Sequence, residues 1–197
     1  AVSGRPSTVD LPAFTKFTTT VADVAFTFQT KEVFTASDDG AGNYVFKTSD
    51  GSSAIPIFEG TSKTKTFLVG EFNEADVYIL PDVNMDASTA TIRVFESYGA
   101  TTSTVYTSIT DATTINSTST IYILKETPKG FDQVSFGGNG VLGLSPSAGN
   151  AITVEYISTH GKDANGATTY TASDQVTVLG VGYNVPVSNA TKSVAGD

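Results

Sequence analysis

The sequence predicts an all-β protein, built as two packed antiparallel β modules in a sandwich-like arrangement, with little or no helix. Three observations predict it. Charged residues make up only 16% of the 197 residues and hydrophobic ones 39%, a balance with enough apolar mass for a core. Apolar residues recur at every second position in short runs, the spacing of a half-buried strand. Clusters of Gly, Asp, Asn and Ser, which tolerate the backbone angles of tight turns, punctuate those runs.

Along the chain, Thr8-Val9-Asp10-Leu11 runs into Pro12, and Phe14 and Phe17 flank Thr15-Lys16. Val24, Phe26 and Phe28 alternate with Ala25 and Thr27, giving one buried face. Glu32 to Thr35 is a further strand. Ser37-Asp38-Asp39-Gly40-Ala41-Gly42-Asn43 is a turn that returns through a strand at Tyr44-Val45-Phe46-Lys47. Ala54 to Glu59 is extended, and Pro56, lacking an N–H, places it at an edge or a bulge. Thr64 to Val69 follows. Gly70 to Ala75 is a polar interruption and marks a module boundary, so residues 1–72 form an N-terminal module and 73–180 a C-terminal one.

In the second module, Asp76 to Leu80 stops at Pro81. Ala90 to Glu96 alternates, with Ile92 and Val94 on one face and Arg93 and Phe95 on the other. Thr104 to Thr107 is a strand, and residues 107–116 hold at most one short helical turn, because β-branched residues disfavour helix. Thr120 to Glu126 is apolar on both faces and is expected to be central or covered. Phe131 to Phe136 turns Phe131 or Val134 inward. The glycine-rich stretch from Phe136 to Asn150 leads into a strand over 152–158. Residues 181–197, rich in Gly, Pro, Ser and Asn, are expected to leave the body as an extended tail.

The formal net charge is −9 with a pI near 4.4, which argues against nucleic acid and against anionic membrane surfaces. The chain has no cysteine, which excludes disulfides and thiolate metal sites. No run approaches the ~20 apolar residues of a membrane-spanning helix. No signal peptide or initiator Met is visible, so the chain reads as an excised or processed piece.

Candidate chemistry is sparse. His160 is the sole histidine, with Asp163 near it and no Gly-x-Ser-x-Gly elbow, so it reads as a solvated loop residue. Asp38, Asp39 and Asn43, and Asp163, Asn165 and Gly166, resemble calcium loops only loosely. They lack the alternating ligands and terminal Glu, and read as turns. Glu71 with Glu74, and Asp82 with Asp86, are the carboxylate pairs a glycosidase reading would need, but no Trp platform accompanies them. The run from Gly137 to Gly143 lacks the Gly-Lys-Ser/Thr ending of a phosphate loop. Asn116 and Asn189 sit in stretches that match the glycosylation acceptor rule. The expectation is therefore no enzyme, no catalytic residue, no cofactor and no metal.

The order Phe136-Gly137, Gly140, Gly143, Pro146 and Gly149, then an apolar strand ending Glu155-Tyr156 and the run Ile157-Ser158-Thr159-His160-Gly161-Lys162-Asp163-Ala164-Asn165-Gly166-Ala167, resembles the Baseplate J family of contractile-tailed phages. Ser117 to Tyr122 with Glu126-Thr127, Leu11-Pro12-Ala13-Phe14-Thr15-Lys16-Phe17, Phe26 to Thr30, and Ile57 to Gly60 fall in the family's order. The chain departs from it at Phe14, where glycine is usual, and at the turn Phe136 to Gly140, which is longer and lacks the usual acidic residue. The resemblance covers most of residues 8–170 and implies a middle piece, without the family's N-terminal helical and C-terminal regions. It implies a wedge subunit of the tail baseplate, in the virion and assembled in the host bacterial cytoplasm. Such a subunit self-associates and contacts neighbouring wedge proteins during assembly and contraction. A β-sandwich adhesin module binding a host surface glycan is the alternative reading.

Overall fold

The computed structural model describes residues 5–70, 77–138, 142–188 and 190–194. In chain order the strands are β1 (Thr8–Leu11), β2 (Lys16–Val21), β3 (Val24–Gln29), β4 (Phe34–Ser37), β5 (Phe58–Glu59), β6 (Thr61–Leu68), β7 (Tyr78–Leu80) and β8 (Met85–Phe95). They continue as β9 (Ser103–Ser108), β10 (Ile121–Glu126), β11 (Asp132–Phe136), β12 (Ala151–Ser158), β13 (Thr171–Ala172), β14 (Gln175–Val178) and β15 (Val181–Asn184). The fold is all-β. Among the described residues the helical content is one 3₁₀ turn, Gly161–Ala164, and no helix is long and apolar enough to cross a membrane.

Two compact units divide the chain, and the division differs from the one read from the sequence. The first unit joins residues 1–61 to 159–197; the second is 62–158. The expected boundary at 72/73 falls among undescribed residues. The return of residues 159–197 was invisible locally, because their partners lie far away in sequence: Thr171 pairs with Thr18 and Ala172 with Phe17.

In the first unit, alternation builds the core. Val9 pairs with Ala36 and Leu11 with Phe34 across β1 and β4, all four buried. Phe17 pairs with Phe28 across β2 and β3, and Phe28 meets the Tyr170 ring edge-on at 5.1 Å. Val24 stays exposed, since it sits beside the two-residue turn Ala22-Asp23, whose φ angles of 48° and 65° are left-handed. Phe14 also takes a left-handed φ of 63°, the region a glycine enters freely. A buried polar knot holds it there: Phe14 N–H donates to Thr30 O, and the Thr15 and Thr30 hydroxyls both donate to Pro12 O.

Two expected strands are much reduced. Tyr44 makes a single bridge to Asp38 and residues 45–47 are not strand. Of the run Ala54–Glu59, Phe58–Glu59 alone pairs, beyond Pro56. Nor do the described residues after Gly180 form a free arm. Val181–Asn184 pairs with β14, and Ser193 exchanges backbone hydrogen bonds with Gly166 and Ala167. The Gly-rich composition marked the hairpin turn, not a departure from the body.

The second unit is one seven-stranded sheet in the order β6-β12-β8-β9-β10-β11-β7. Its inward positions follow period two. Ile92, Val94, Ile152, Val154 and Val134 are at most 8% exposed, while Arg93 and Phe95 are only partly buried. The sheet curls until its end strands meet. The Phe67 ring on β6 lies 5.3 Å from the Tyr78 ring on β7, and Lys63 Nζ lies 2.7 Å from Asp82 Oδ2. The core is thus the inside of a nearly closed sheet. β9 and β10 run parallel, so residues 109–120 are spent on the return between them and form turns, not helix. β10 is central, and both Ile121 and Tyr122 are buried.

The glycine-rich stretch covers Ile121. Leu144 N–H donates to Ser119 O at 2.8 Å. Gly143 has φ 96°, and a Cβ there would lie 2.5 Å from Ser119 O and 2.8 Å from Ile121 Cγ1. The Ser145 hydroxyl donates to Gly137 O, and a Cβ on Gly137 would collide with the Leu142 carbonyl. Residues 139–141 of the expected turn lie outside the described residues.

Candidate functional site

Among the described residues, most of the polar groups singled out in the sequence bond to their own loops and neighbours. Asp39 closes its own loop. Its Oδ1 accepts the N–H groups of Ala41, Gly42 and Asn43 at 2.8–2.9 Å, and its Oδ2 accepts the Asn43 amide at 3.0 Å. Those bonds, from Asn43 first and then Ala41, hold its carboxyl down at about 2. Both oxygens are used, so the calcium resemblance resolves into a turn. Asp38 faces the Arg5 guanidinium at 3.8 Å, and that guanidinium lies over the Tyr44 ring.

The second calcium-like stretch is the 3₁₀ turn Gly161–Ala164 and its exit. Asn165 N–H donates to Lys162 O, Gly166 N–H donates to Ser193 O, and Asp163 is exposed. Among the described residues, no three His, Asp or Glu side chains gather as metal ligands would.

His160 finds one acidic partner, and it is Glu59 and not Asp163. The Glu59 carboxylate grips residue 160 twice, taking its backbone N–H at 2.8 Å and facing its ring Nδ1 at 2.7 Å. The ring stands edge-on to Phe26 at 5.7 Å and its side chain is 66% exposed. Glu59 closes β5 and His160 opens the 3₁₀ turn, so the pair ties two loops of the first unit together. A triad needs a nucleophile on the other ring nitrogen, and no described hydroxyl bonds to this ring.

Asp82 and Asp86 do not converge. Asp86 Oδ1 takes the N–H and hydroxyl of Ser88 at 2.9 and 2.6 Å. There β8 carries a bulge: pairing steps from Thr91 to Asp86 while β12 steps only from Glu155 to Ile157. The Thr89 hydroxyl fills it, accepting from Ile157 N–H and donating to Asp86 O. Asp82 serves the seam of the sheet. Its side chain is 9% exposed, and it accepts from Lys63, from Asn84 N–H, and from the hydroxyls of Ser158 and Tyr156. Burial alone would raise its pKa, but those donors and the Lys63 charge outweigh burial and hold it below the usual carboxylate range. Conversely, burial and then the Asp82 charge push the Tyr156 hydroxyl up to about 12.

Sequence reasoning missed this cluster because its members are spread over β6, β12 and the residues after β7. It also missed the carboxylates of Glu126 and Asp132, which face each other across β10 and β11. Burial first, then the Glu126 charge, raises the Asp132 pKa. Glu71 and Glu74, and the sequon at Asn189, lie outside the described residues. Asn116 caps a turn, its Oδ1 accepting from the N–H and hydroxyl of Thr118 at 2.8 Å.

Exposed apolar residues are the remaining feature. In the first unit they gather in the hairpin of β14 and β15, where Leu179, Val181 and Tyr183 are 75%, 54% and 54% exposed.

No family model matches the chain, so the Baseplate J resemblance is not carried by one. The chain is similar to the baseplate wedge protein gp6 of Enterobacteria phage T4, 36% identical over 85 residues. The match covers 34% of this chain and 13% of that protein, a small part of its length.

Proposed function

We propose that this chain is an architectural module of a phage tail baseplate, part of a wedge subunit that associates with itself and with neighbouring baseplate proteins. The observation that carries the reading is the 36% identity to the T4 wedge protein. The fold is consistent with it. Two β units, one closed at its seam by the Lys63–Asp82 pair, are compact bodies of the kind that rings assemble from and that contraction moves as wholes. In this reading the protein is no enzyme and takes no cofactor or metal. It binds no nucleic acid, does not insert into membranes, and resides in the virion after assembly in the bacterial cytoplasm.

The adhesin reading makes a different demand. A glycan site needs aromatic and polar side chains gathered in one groove, whereas among the described residues each unit has a single strongly exposed Tyr or Phe ring, Tyr183 in the first and Tyr98 in the second. The test is to tag the full-length parent in the phage and purify tails, and to put the isolated chain on a glycan array. The proposal expects the tag in assembled tails and a blank array. Tight glycan binding with no tag in tails overturns it.

A further inference from the structure

We infer that the outer edge of β15 is a self-association surface, on which two copies pair strand to strand about a two-fold axis. This deepens the wedge reading, on whose self-association it rests.

The hairpin is amphipathic and only half docked. Paired residues share a face, so Val176, Val178, Val181 and Tyr183 form its apolar side. Val176 is buried in the core of the first unit and Val178 packs against that core. Val181 and Tyr183 overhang it. The opposite face is polar and satisfied within itself, the Gln175 amide donating to Asn184 Oδ1 at 3.0 Å.

The backbone of β15 is also half used. Val178 and Val181 close the two-residue turn, so Val181 and Tyr183 spend their N–H and C=O groups on β14. Gly182 and Asn184 then direct theirs outward, where β15 has no second neighbour among the described residues. A free edge is a template for pairing, and proteins normally blunt it with charge. β6, the end strand of the other sheet, carries Lys63 and Lys65. No residue between Asp174 and Lys192 is charged. At the tip, Leu179 holds a left-handed φ of 51° while 75% exposed, a costly choice for a turn that serves only the hairpin.

The charge distribution favours a second copy as the occupant. The chain carries −9, so two copies repel over most of their surface. The uncharged hairpin is where they can approach. Antiparallel pairing centred on Gly182 sets Val181 against Tyr183 of the second copy and Tyr183 against its Val181. Both are aromatic to β-branched cross-strand pairs, and no like charges meet.

The test uses sedimentation equilibrium of the chain, wild type against Val181→Lys and Gly182→Pro. The proline removes an outward N–H and also adds ring carbons that displace the Gln175 amide, so Val181→Lys is the cleaner of the two changes. Melting followed by circular dichroism checks that each variant keeps its fold. Hydrogen exchange supplies a site-specific readout. The expected result is concentration-dependent dimerisation that either variant weakens at least about tenfold. Protection of the Gly182 and Asn184 amides should rise with concentration, while that of Val181 and Tyr183 does not change. A wild type that stays monomeric, or variants that dimerise as the wild type does, overturns the surface. If dimers form without protecting Gly182 and Asn184, this edge is refuted while self-association stands. If the edge pairs as stated but the parent is missing from tails, the baseplate reading alone fails.

Discussion

Replacing Asp82 by Asn tests whether the seam of the seven-stranded sheet is held by side chains. The carboxylate gathers donors from β6, from β12 and from the N–H of Asn84, two residues on. Asparagine keeps the shape and one acceptor but loses the charge. The Lys63 pair is half exposed on the lysine side, so its loss costs under about 1 kcal/mol. The bond from the Tyr156 hydroxyl, on a residue only 6% exposed, falls from charge-assisted to neutral at about another 1 kcal/mol. Together the change should cost about 1–2 kcal/mol at neutral pH. Asp82→Ala, which strands the buried hydroxyl as well, should cost about 3–4 kcal/mol.

The pH dependence has a definite sign. Asp82 has a folded pKa below its unfolded one, so its contribution is complete above the unfolded value near 3.9 and is lost as pH falls through the folded one. Tyr156 is raised from 10.0 to about 12. Its contribution is complete below pH 10 and is lost as pH rises toward 12. Urea unfolding of wild type and Asp82→Asn from pH 2.5 to 11 should therefore show a gap that is widest between about pH 5 and 9 and closes in acid. A gap below about 0.5 kcal/mol at pH 7, or one that widens in acid, would refute the latch.

Three further outcomes follow from the same structure. Asp132→Asn should stabilise the second unit at pH 7 by up to about 1 kcal/mol, since it relieves the opposed Glu126. The wild-type penalty belongs to the ionised form of a group whose folded pKa is raised, so a denaturant series should show the gain vanish as pH falls through that range. Gly143→Ala must leave a φ of 96° and displace Ser119 and Ile121, at a cost of about 3 kcal/mol or more; an unchanged unfolding midpoint would contradict the packing of this stretch on β10. Thr19 is 7% exposed and its hydroxyl has no partner among the described residues. Thr19→Val should therefore raise stability by about 1 kcal/mol in the same assay.

Much of the fold was legible locally. Ile92 and Val94 face in, as period two requires; β10 is an inner strand, as apolar residues on both its faces imply; and of the two candidates left open, Phe131 and Val134, it is Val134 that is fully buried. What was not legible depends on long range. Residues 159–197 join the first unit through partners such as Thr18 and Phe17, which no local pattern names. Tyr44 to Lys47 has strand composition, yet the Asp39 loop leaves it a single bridge. The β14–β15 hairpin hid behind Leu179, a residue that type I′ turns seldom hold. Asp39 read as a turn residue and is bonded as one, whereas the sequence did not foretell that Asp86 and Asn116 bond their neighbours Ser88 and Thr118. The Asp82 cluster could not be read, because Lys63, Tyr156 and Ser158 approach it only once the sheet has curled.

The central claim is that these two β units are parts of a tail baseplate. Single-particle electron cryomicroscopy of purified tails tests it most directly. The account predicts that the seven-stranded unit and the β1–β5/β13–β15 unit both fit density in the baseplate ring, in more than one copy. A complete baseplate map with every density assigned to other chains would contradict it.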